Sequence, residues 1–279
     1  MKAPPFDYHR ATGVADAVEA LRAADGEGKV LAGGQSLVPL LALRLARPAV
    51  LVDINRVPDL DRLELRDGVL HAGALVRHLG LAAQDRHPLA AEAARWVGHT
   101  AIRSRGTLAG SLAHADPSAE LPAVLRACDG AVHVAGPGGR RRLGADALFV
   151  GALQSDLADD EVITEVELPV PDAWGFAEFA RRHGDFAVVA VVAARFGERL
   201  RLVVGGVGAV PHLVDVGDLT TVDGELSQDR VAILAAAAAD DVDPPTDLHG
   251  SAGHRRALTE QMALRALAQL AGHRTPEVV

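Results

Sequence analysis

A chain of 279 residues with 28 Lys and Arg against 37 Asp and Glu has a net charge of -9, which argues against the broad positive face that nucleic-acid binding needs. Its single cysteine, Cys128, excludes disulfide frameworks, cysteine-ligated zinc and iron–sulfur clusters held by this chain. Charged residues interrupt every apolar run short of the roughly 18 residues that span a bilayer, and the N-terminal MKAPPFDYHRA has no apolar signal-peptide centre, so the expected location is cytoplasmic.

In chain order, VADAVEALRAADG carries apolar residues at helical spacing and stops at Gly26, and KVLAGG reads as a short strand running into glycines. SLVPLLALRLARP predicts a helix with Ser36 as N-cap that ends before Pro48, and AVLVDIN predicts a buried strand. These make a βαβ-like unit over residues 1–57. It lacks the dinucleotide GxGxxG spacing, because Gly33 and Gly34 are adjacent and no third glycine opens the helix. RLELRDGVLHAGAL, residues 62–75, predicts a hairpin, since Asp67 and Gly68 tolerate the positive φ of a two-residue turn. Two helical segments, about 76–98, a second glycine stretch and the strand-like GAVHVAGPGGRRRL and EVITEVELPV complete an α+β region over 58–172. FAVVAVVAARF and RLRLVVGGVGAV are apolar strand candidates, and DRVAILAAAAADD and SAGHRRALTEQMALRALAQL, with Ser251 as N-cap, are helices of a third α+β unit over 173–279.

Two glycine loops carry the chemistry. LAGGQSL, residues 31–37, sets two glycines between a strand and a helix start, where bare backbone N–H groups favour an anion; Lys29 lies close in sequence. GTLAGSL, from Gly106, adds backbone donors and the hydroxyls of Thr107 and Ser111. Either loop alone reads as an ordinary turn, but the pair can hold an extended dinucleotide between them. A Ser111–His114–Asp116 triad is disfavoured because no GxSxG elbow surrounds the serine, and HAD supplies at most two metal ligands. The plainer reading has Asp116 capping a helix begun by Pro117, with regular helix delayed by Pro122 until AVLRA. The 12 histidines show no HExxH spacing and default to surface or packing roles. ARRHGDFA and DLHGSAGHRRAL, with Arg181, Arg182, Asp185, Arg255 and Arg256, read as solvated faces or subunit contacts.

LAGGQSLVPLLALRLARPAVLVDINRVPDL, RSRGTLAGSLAHADPSAELPAVL, RRHGDFAVV, LVVGGVGAVP and DLHGSAGHRRAL occur in the order found in the FAD-binding medium subunit of molybdenum hydroxylases, the xanthine dehydrogenase and carbon monoxide dehydrogenase group. The chain resembles that family over nearly its whole length. The resemblance implies an α+β, vanillyl-alcohol-oxidase-type (PCMH-like) FAD-binding fold of two subdomains, followed by a C-terminal domain with a three-stranded antiparallel sheet and helices. It implies cofactor contacts from Ala32, Gly33, Gly34, Gln35, Ser36 and Leu37 in the first loop and from Thr107, Ala109, Gly110 and Ser111 in the second. Asp116 and Glu120 follow the second loop, Glu120 standing where relatives contact ribose or adenosine. Ile163 would approach the flavin ring, and Lys29 would sit near the cofactor.

Three departures are visible: Gln35 where many relatives carry His, Ala109 in place of the first glycine of a usual pair, and Ala177 and Glu178 where relatives carry a lysine near the flavin. The function implied is electron transfer through FAD, from a small [2Fe–2S] subunit beside a large molybdopterin subunit to an external acceptor, in a dimer of heterotrimers. The chain itself would supply no catalytic acid or base and no metal ligand. The rival expectations are a stand-alone FAD oxidase and an assembly module of the same fold that has lost its cofactor. Replacing Gly33 or Gly110 with a β-branched residue is expected to abolish FAD binding while leaving the fold.

Overall fold

The computed structural model describes residues 2–216 and 226–272. The first unit runs β1 (Asp7–Arg10), α1 (Val14–Ala23), β2 (Gly28–Leu31), α2 (Leu37–Ala42) and β3 (Val50–Asp53). Its strands form a parallel sheet in the order β1-β3-β2. Parallel neighbours require crossovers, and α1 and α2 provide them. Ala17, Val18 and Leu21 of α1 pack with Val52 into the unit's core. β1 escapes periodicity because DYHR is polar and largely exposed; its pairing with β3, from Asp7 opposite Val50 to Arg10 opposite Asp53, makes it a strand.

The helix after the first glycine loop is shorter than the sequence suggests. α2 has six residues and ends at Ala42, far from Pro48. Arg44 turns to φ 60°, and the Leu45 N–H closes back on the Leu40 carbonyl at 2.9 Å. Ser36 does not cap it either: its backbone is already helical (φ -94°, ψ -46°) and its side chain makes no capping bond.

The second unit comprises β4 (Leu63–Arg66), β5 (Val69–Gly73), α3 (His78–Ala83), α4 (Pro88–Trp96), α5 (Thr100–Arg103), α6 (Leu108–His114), α7 (Glu120–Ala127), β6 (Ala131–Gly136), β7 (Gly139–Gly144), α8 (Ala145–Leu148), the short β8 (Phe149–Gly151) and β9 (Gln154–Ser155), and β10 (Val162–Pro169). Five strands make an antiparallel sheet ordered β4-β5-β10-β6-β7. The Asp67–Gly68 turn has both residues at positive φ, 50° and 75°, as the hairpin reading requires. Strand alternation sends Leu70, Val132, Val134, Val166 and Leu168 into a core shared with Leu81, Leu89, Leu112, Leu121 and Leu125 of the helices. The same alternation puts His71, His133, Glu165 and Glu167 on the other face, where His71–Glu165 (2.9 Å) and His133–Glu167 (2.5 Å) form a cross-strand ladder.

The third unit has β11 (Ala173–Phe179), β12 (Val189–Phe196), β13 (Arg199–Gly205), β14 (His212–Leu213), α9 (Gln228–Asp241) and α10 (Ala252–Leu270). The sheet has four strands, in chain order, rather than three; the extra one is only two residues long. One face, with Phe176, Val192, Ala194 and Val203, packs onto the second unit's core. The other, with Ala177, Val191, Ala193, Leu202 and Val204, is covered by α9 and α10. Burial on both faces explains why VAVVAA is continuously apolar rather than alternating. Ser227 and Ser251 cap α9 and α10 by accepting from the N–H groups of Arg230 and His254. Arg255 is no solvated charge: it is 4% exposed, donates to the carbonyls of Val188 and Gly206 and grips Asp247 with two bonds of 2.9 and 2.8 Å.

Candidate functional site

The two glycine loops, separated by about 75 residues of chain in the sequence, meet in space. A Cβ placed on Gly33 would come within 2.4 Å of the Arg105 carbonyl oxygen and 2.8 Å of the Gly106 Cα. Only glycine permits that approach. In the first loop Gly34 has φ 72°, and Gln35 folds back to donate to the Gly33 carbonyl at 3.2 Å. Among the described residues, the backbone N–H groups of Gly33, Gly34, Gln35 and Ser36 have no backbone or side-chain acceptor. They are donors held open in a tight turn, the arrangement that receives phosphate oxygens. With α2 only six residues long, these donors matter more than any helix dipole.

A bracket that sequence reading missed holds the loops in register. Asn55 donates from Nδ2 to the Leu31 and Ala32 carbonyls (3.2 and 2.9 Å) and to Asp53 (2.6 Å). Arg77, just before α3, donates to Asn55 Oδ1 at 2.6 Å and to the Arg105 carbonyl. Tyr8 donates to Asp53. Burial works to raise the Asp53 pKa, but the bonds from Tyr8 and Asn55 and the charge of Arg10 outweigh it and hold the carboxyl below its usual range. The signal lay in AVLVDIN, where two polar residues end a buried strand. A cleft of about 650 Å³ opens beside the bracket, lined by Asn55, Arg56, Asp61, Arg77 and Ser104 among others.

The second loop is more enclosed. Thr107 is 2% exposed, and its Oγ1 accepts from the Gly110 N–H at 3.1 Å as the N-cap of α6. Ala109 lies inside that helix, so its lack of a glycine's freedom costs nothing there. The Ser111 N–H donates to the Thr107 carbonyl at 3.0 Å. Gly106 sits against the ring of buried His78, which burial pushes down to about 4 and so keeps neutral. His87, also pushed to about 4 by burial, packs under α4 and accepts from the Ala90 N–H. His87 is thus bonded at both ring nitrogens, to the Ala90 N–H and the Pro169 carbonyl, whereas both ring nitrogens of His78 are buried without a hydrogen-bond partner among the described residues. Cys128 is fully buried and its thiol is pushed up by desolvation, away from reactivity.

No hydrogen bond joins Ser111, His114 and Asp116 among the described residues, so no triad is assembled. Asp116 does not cap the following helix. Its Oδ1 accepts from the Ser118 N–H at 2.9 Å, and α7 starts later, at Glu120, behind Ala119. Pro122 does not delay the helix, because in the first turn its missing N–H has no partner to lose. Lys29 makes an exposed ion pair with Asp159 at 3.3 Å. Ile163 is buried in the main core on β10, beside a bulge between Ile163 and Glu165. Leu37 opens α2, half-buried.

Glu120 is 4% exposed at the start of α7, and burial, helped by the charge of Asp116, pushes its carboxyl up to about 7. Glu178, in the middle of β11, is 8% exposed and is pushed up to about 9 by burial and then by the charge of Glu120.

Residues 4–171 match the FAD binding domain in molybdopterin dehydrogenase, and residues 174–270 match the CO dehydrogenase flavoprotein C-terminal domain. The chain belongs to the FAD-binding medium subunits of molybdenum hydroxylases. It is 41% identical to the nicotine 6-hydroxylase medium subunit of Paenarthrobacter nicotinovorans over 99% of this chain and 100% of that one. It is 33% identical to the carbon monoxide dehydrogenase medium chain of Hydrogenophaga pseudoflava over 95% and 96%. Among solved structures, quinoline 2-oxidoreductase from Pseudomonas putida 86 superposes with a TM-score of 0.90 at 33% identity, covering 98% of this chain and 99% of that chain.

As a medium subunit it has features suited to FAD. The first loop offers bare backbone donors to a pyrophosphate. The substitution test suggested by the sequence needs correcting. A side chain on Gly33 strikes the neighbouring backbone, and one on Gly110 comes within 2.7 Å of the Thr107 cap, so both perturb the loops before any cofactor is involved.

Proposed function

We propose that this medium subunit carries FAD as the electron-transfer unit of a complex with a large molybdopterin subunit and a small [2Fe–2S] subunit, in a cytoplasmic dimer of heterotrimers. The supporting observation is end-to-end similarity to a medium subunit, with both family segments present in one chain. The lone buried cysteine agrees, since an iron–sulfur cluster must then be held elsewhere. When bound, FAD supplies the ability to exchange electrons singly or in pairs. The chain's residues bind and orient it: Ala32 to Leu37 cradle the pyrophosphate with backbone donors, and Thr107, Ala109, Gly110 and Ser111 form the opposing wall. Asp116 and Glu120 accept from hydroxyls of the cofactor, Ile163 lies toward the ring, and Lys29 adds positive charge nearby.

The division of labour follows the proposed boundaries, with residues 1–57 and 58–172 holding the cofactor and 173–279 closing over it. The test is anaerobic reduction of the flavin, followed by its absorbance, in the chain alone and in the purified complex given the complex's substrate. Bleaching only in the complex is expected. Bleaching of the isolated chain by a substrate would support a stand-alone oxidase instead.

A further inference from the structure

The outer face of the five-stranded sheet carries a group of side chains that the cofactor reading leaves unused. His71 of β5, Glu165 and Glu167 of β10 and His133 of β6 stand on three neighbouring strands. One ligand atom from each of His71, Glu165 and Glu167 lies within 4.8 Å of the other two. His71 Nδ1 is 2.9 Å from Glu165 Oε1, and His133 Nε2 is 2.5 Å from Glu167 Oε1. A bulge assembles the group. Between Ile163 and Glu165 the register against β6 shifts, so that Ile163 stands opposite Val134 and Glu165 opposite His133. The extra residue, Thr164, donates its hydroxyl to the His133 carbonyl at 3.2 Å and reverses the strand's alternation. Ile163 therefore points into the core, while Glu165 joins Glu167 on the outer face. Each glutamate then has one histidine directly opposite, Glu165 with His133 and Glu167 with His71, and makes its hydrogen bond to the other. Small residues leave room for those diagonal contacts, Gly73 across from Glu165 and Ala131 across from Glu167.

Each carboxylate turns one oxygen to an imidazole and the other to an arginine. Glu167 Oε2 accepts from Arg142 at 2.8 Å, and Glu165 Oε2 lies 3.9 Å from Arg66, which also reaches Glu64. Two imidazoles and two inner carboxylate oxygens are a mixed nitrogen and oxygen donor set, suited to zinc and its neighbours in the first transition row; calcium and magnesium prefer oxygen alone. A tetrahedral ion with bonds of about 2.0–2.1 Å holds its ligands about 3.3 Å apart. Rotation of these half-buried side chains closes the group to that spacing, and the arginines stay on the outer oxygens to orient the carboxylates. The donors come from strands far apart in the chain, so no sequence spacing announces them. We propose that His71, His133, Glu165 and Glu167 form a site for one divalent transition-metal ion, with zinc as its representative, tying β5, β10 and β6 together on the face opposite the helical core.

The test is calorimetric titration of zinc into the untagged full chain, treated with a chelator and then freed of it. Wild type is compared with His71→Ala, Glu167→Gln and His212→Ala, the last removing a histidine that pairs with Asp241 outside the group. One zinc per chain is expected, bound at least about tenfold more weakly after His71→Ala or Glu167→Gln and unchanged after His212→Ala. Magnesium in large excess should not displace it. Melting gives a separate readout, because an ion that binds only the folded chain stabilises it. At a hundredfold excess over its dissociation constant, zinc should raise the wild-type midpoint by about 5 °C and leave that of His71→Ala almost unmoved.

Failure of wild type to bind zinc stoichiometrically, or equal affinity and equal midpoint shifts in wild type and both cluster variants, would overturn the proposal and leave the four residues as two ion pairs. The site does not rest on the FAD reading, so flavin content should be the same across the set.

Discussion

The two glycine loops are alike in sequence and differ in state. LAGGQSL is the more open, with Ser36 exposed, no cap on α2 and a run of bare backbone donors. GTLAGSL is buried from Gly106 to Ala109 and internally satisfied through the Thr107 cap. Glycine thus serves two purposes. In the first loop it presents backbone to a ligand, and at Gly33 it lets the backbone of Arg105 and Gly106 approach closely.

The largest way to break that arrangement is Gly33→Val. Its side chain would collide with the Arg105 carbonyl, which no rotamer change relieves, so about 3 kcal/mol of stability should go, together with FAD; denaturant melts and flavin content would check both. Gly34→Ala places a Cβ at φ 72° and should cost about 1–2 kcal/mol in the same melts. Thr107→Ala removes a cap that is formed and should cost about 1 kcal/mol, with Thr107→Ser recovering most of it. Ser36→Ala occupies the matching position in the first loop, where no cap is formed, so stability should stay within about 0.5 kcal/mol. A fall in FAD affinity of about fivefold without a stability change would mark Ser36 as facing the cofactor and sharpen the contrast.

Much of this was legible in the sequence because it is local. Asp67–Gly68 gives the hairpin by its own φ preferences, and Ser251 starts α10 by its own hydroxyl. What depends on pairing across the chain was not. β1 looks polar and becomes a strand only beside β3, and AWGFAEF becomes β11 only beside β12. Asp116 has the profile of a helix cap, yet the Pro117 carbonyl is engaged by the Gly206 N–H from the third unit, and the helix waits for Glu120. The same holds for the site. The glycines announce themselves, whereas the Asn55–Arg77 bracket and the buried position of Glu178 exist only once distant strands come together. Arg255, charged and beside a second arginine, reads as surface until its carbonyl partners are in place.

The central claim is that the meeting of these two loops holds FAD. The most direct measurement is a visible absorption spectrum of the purified chain, followed by denaturation and identification of the released flavin. The account predicts flavin bands and the release of FAD in equal proportion to protein. A colourless chain that takes up no added FAD would contradict it and leave the loops as a tight junction between two folded units.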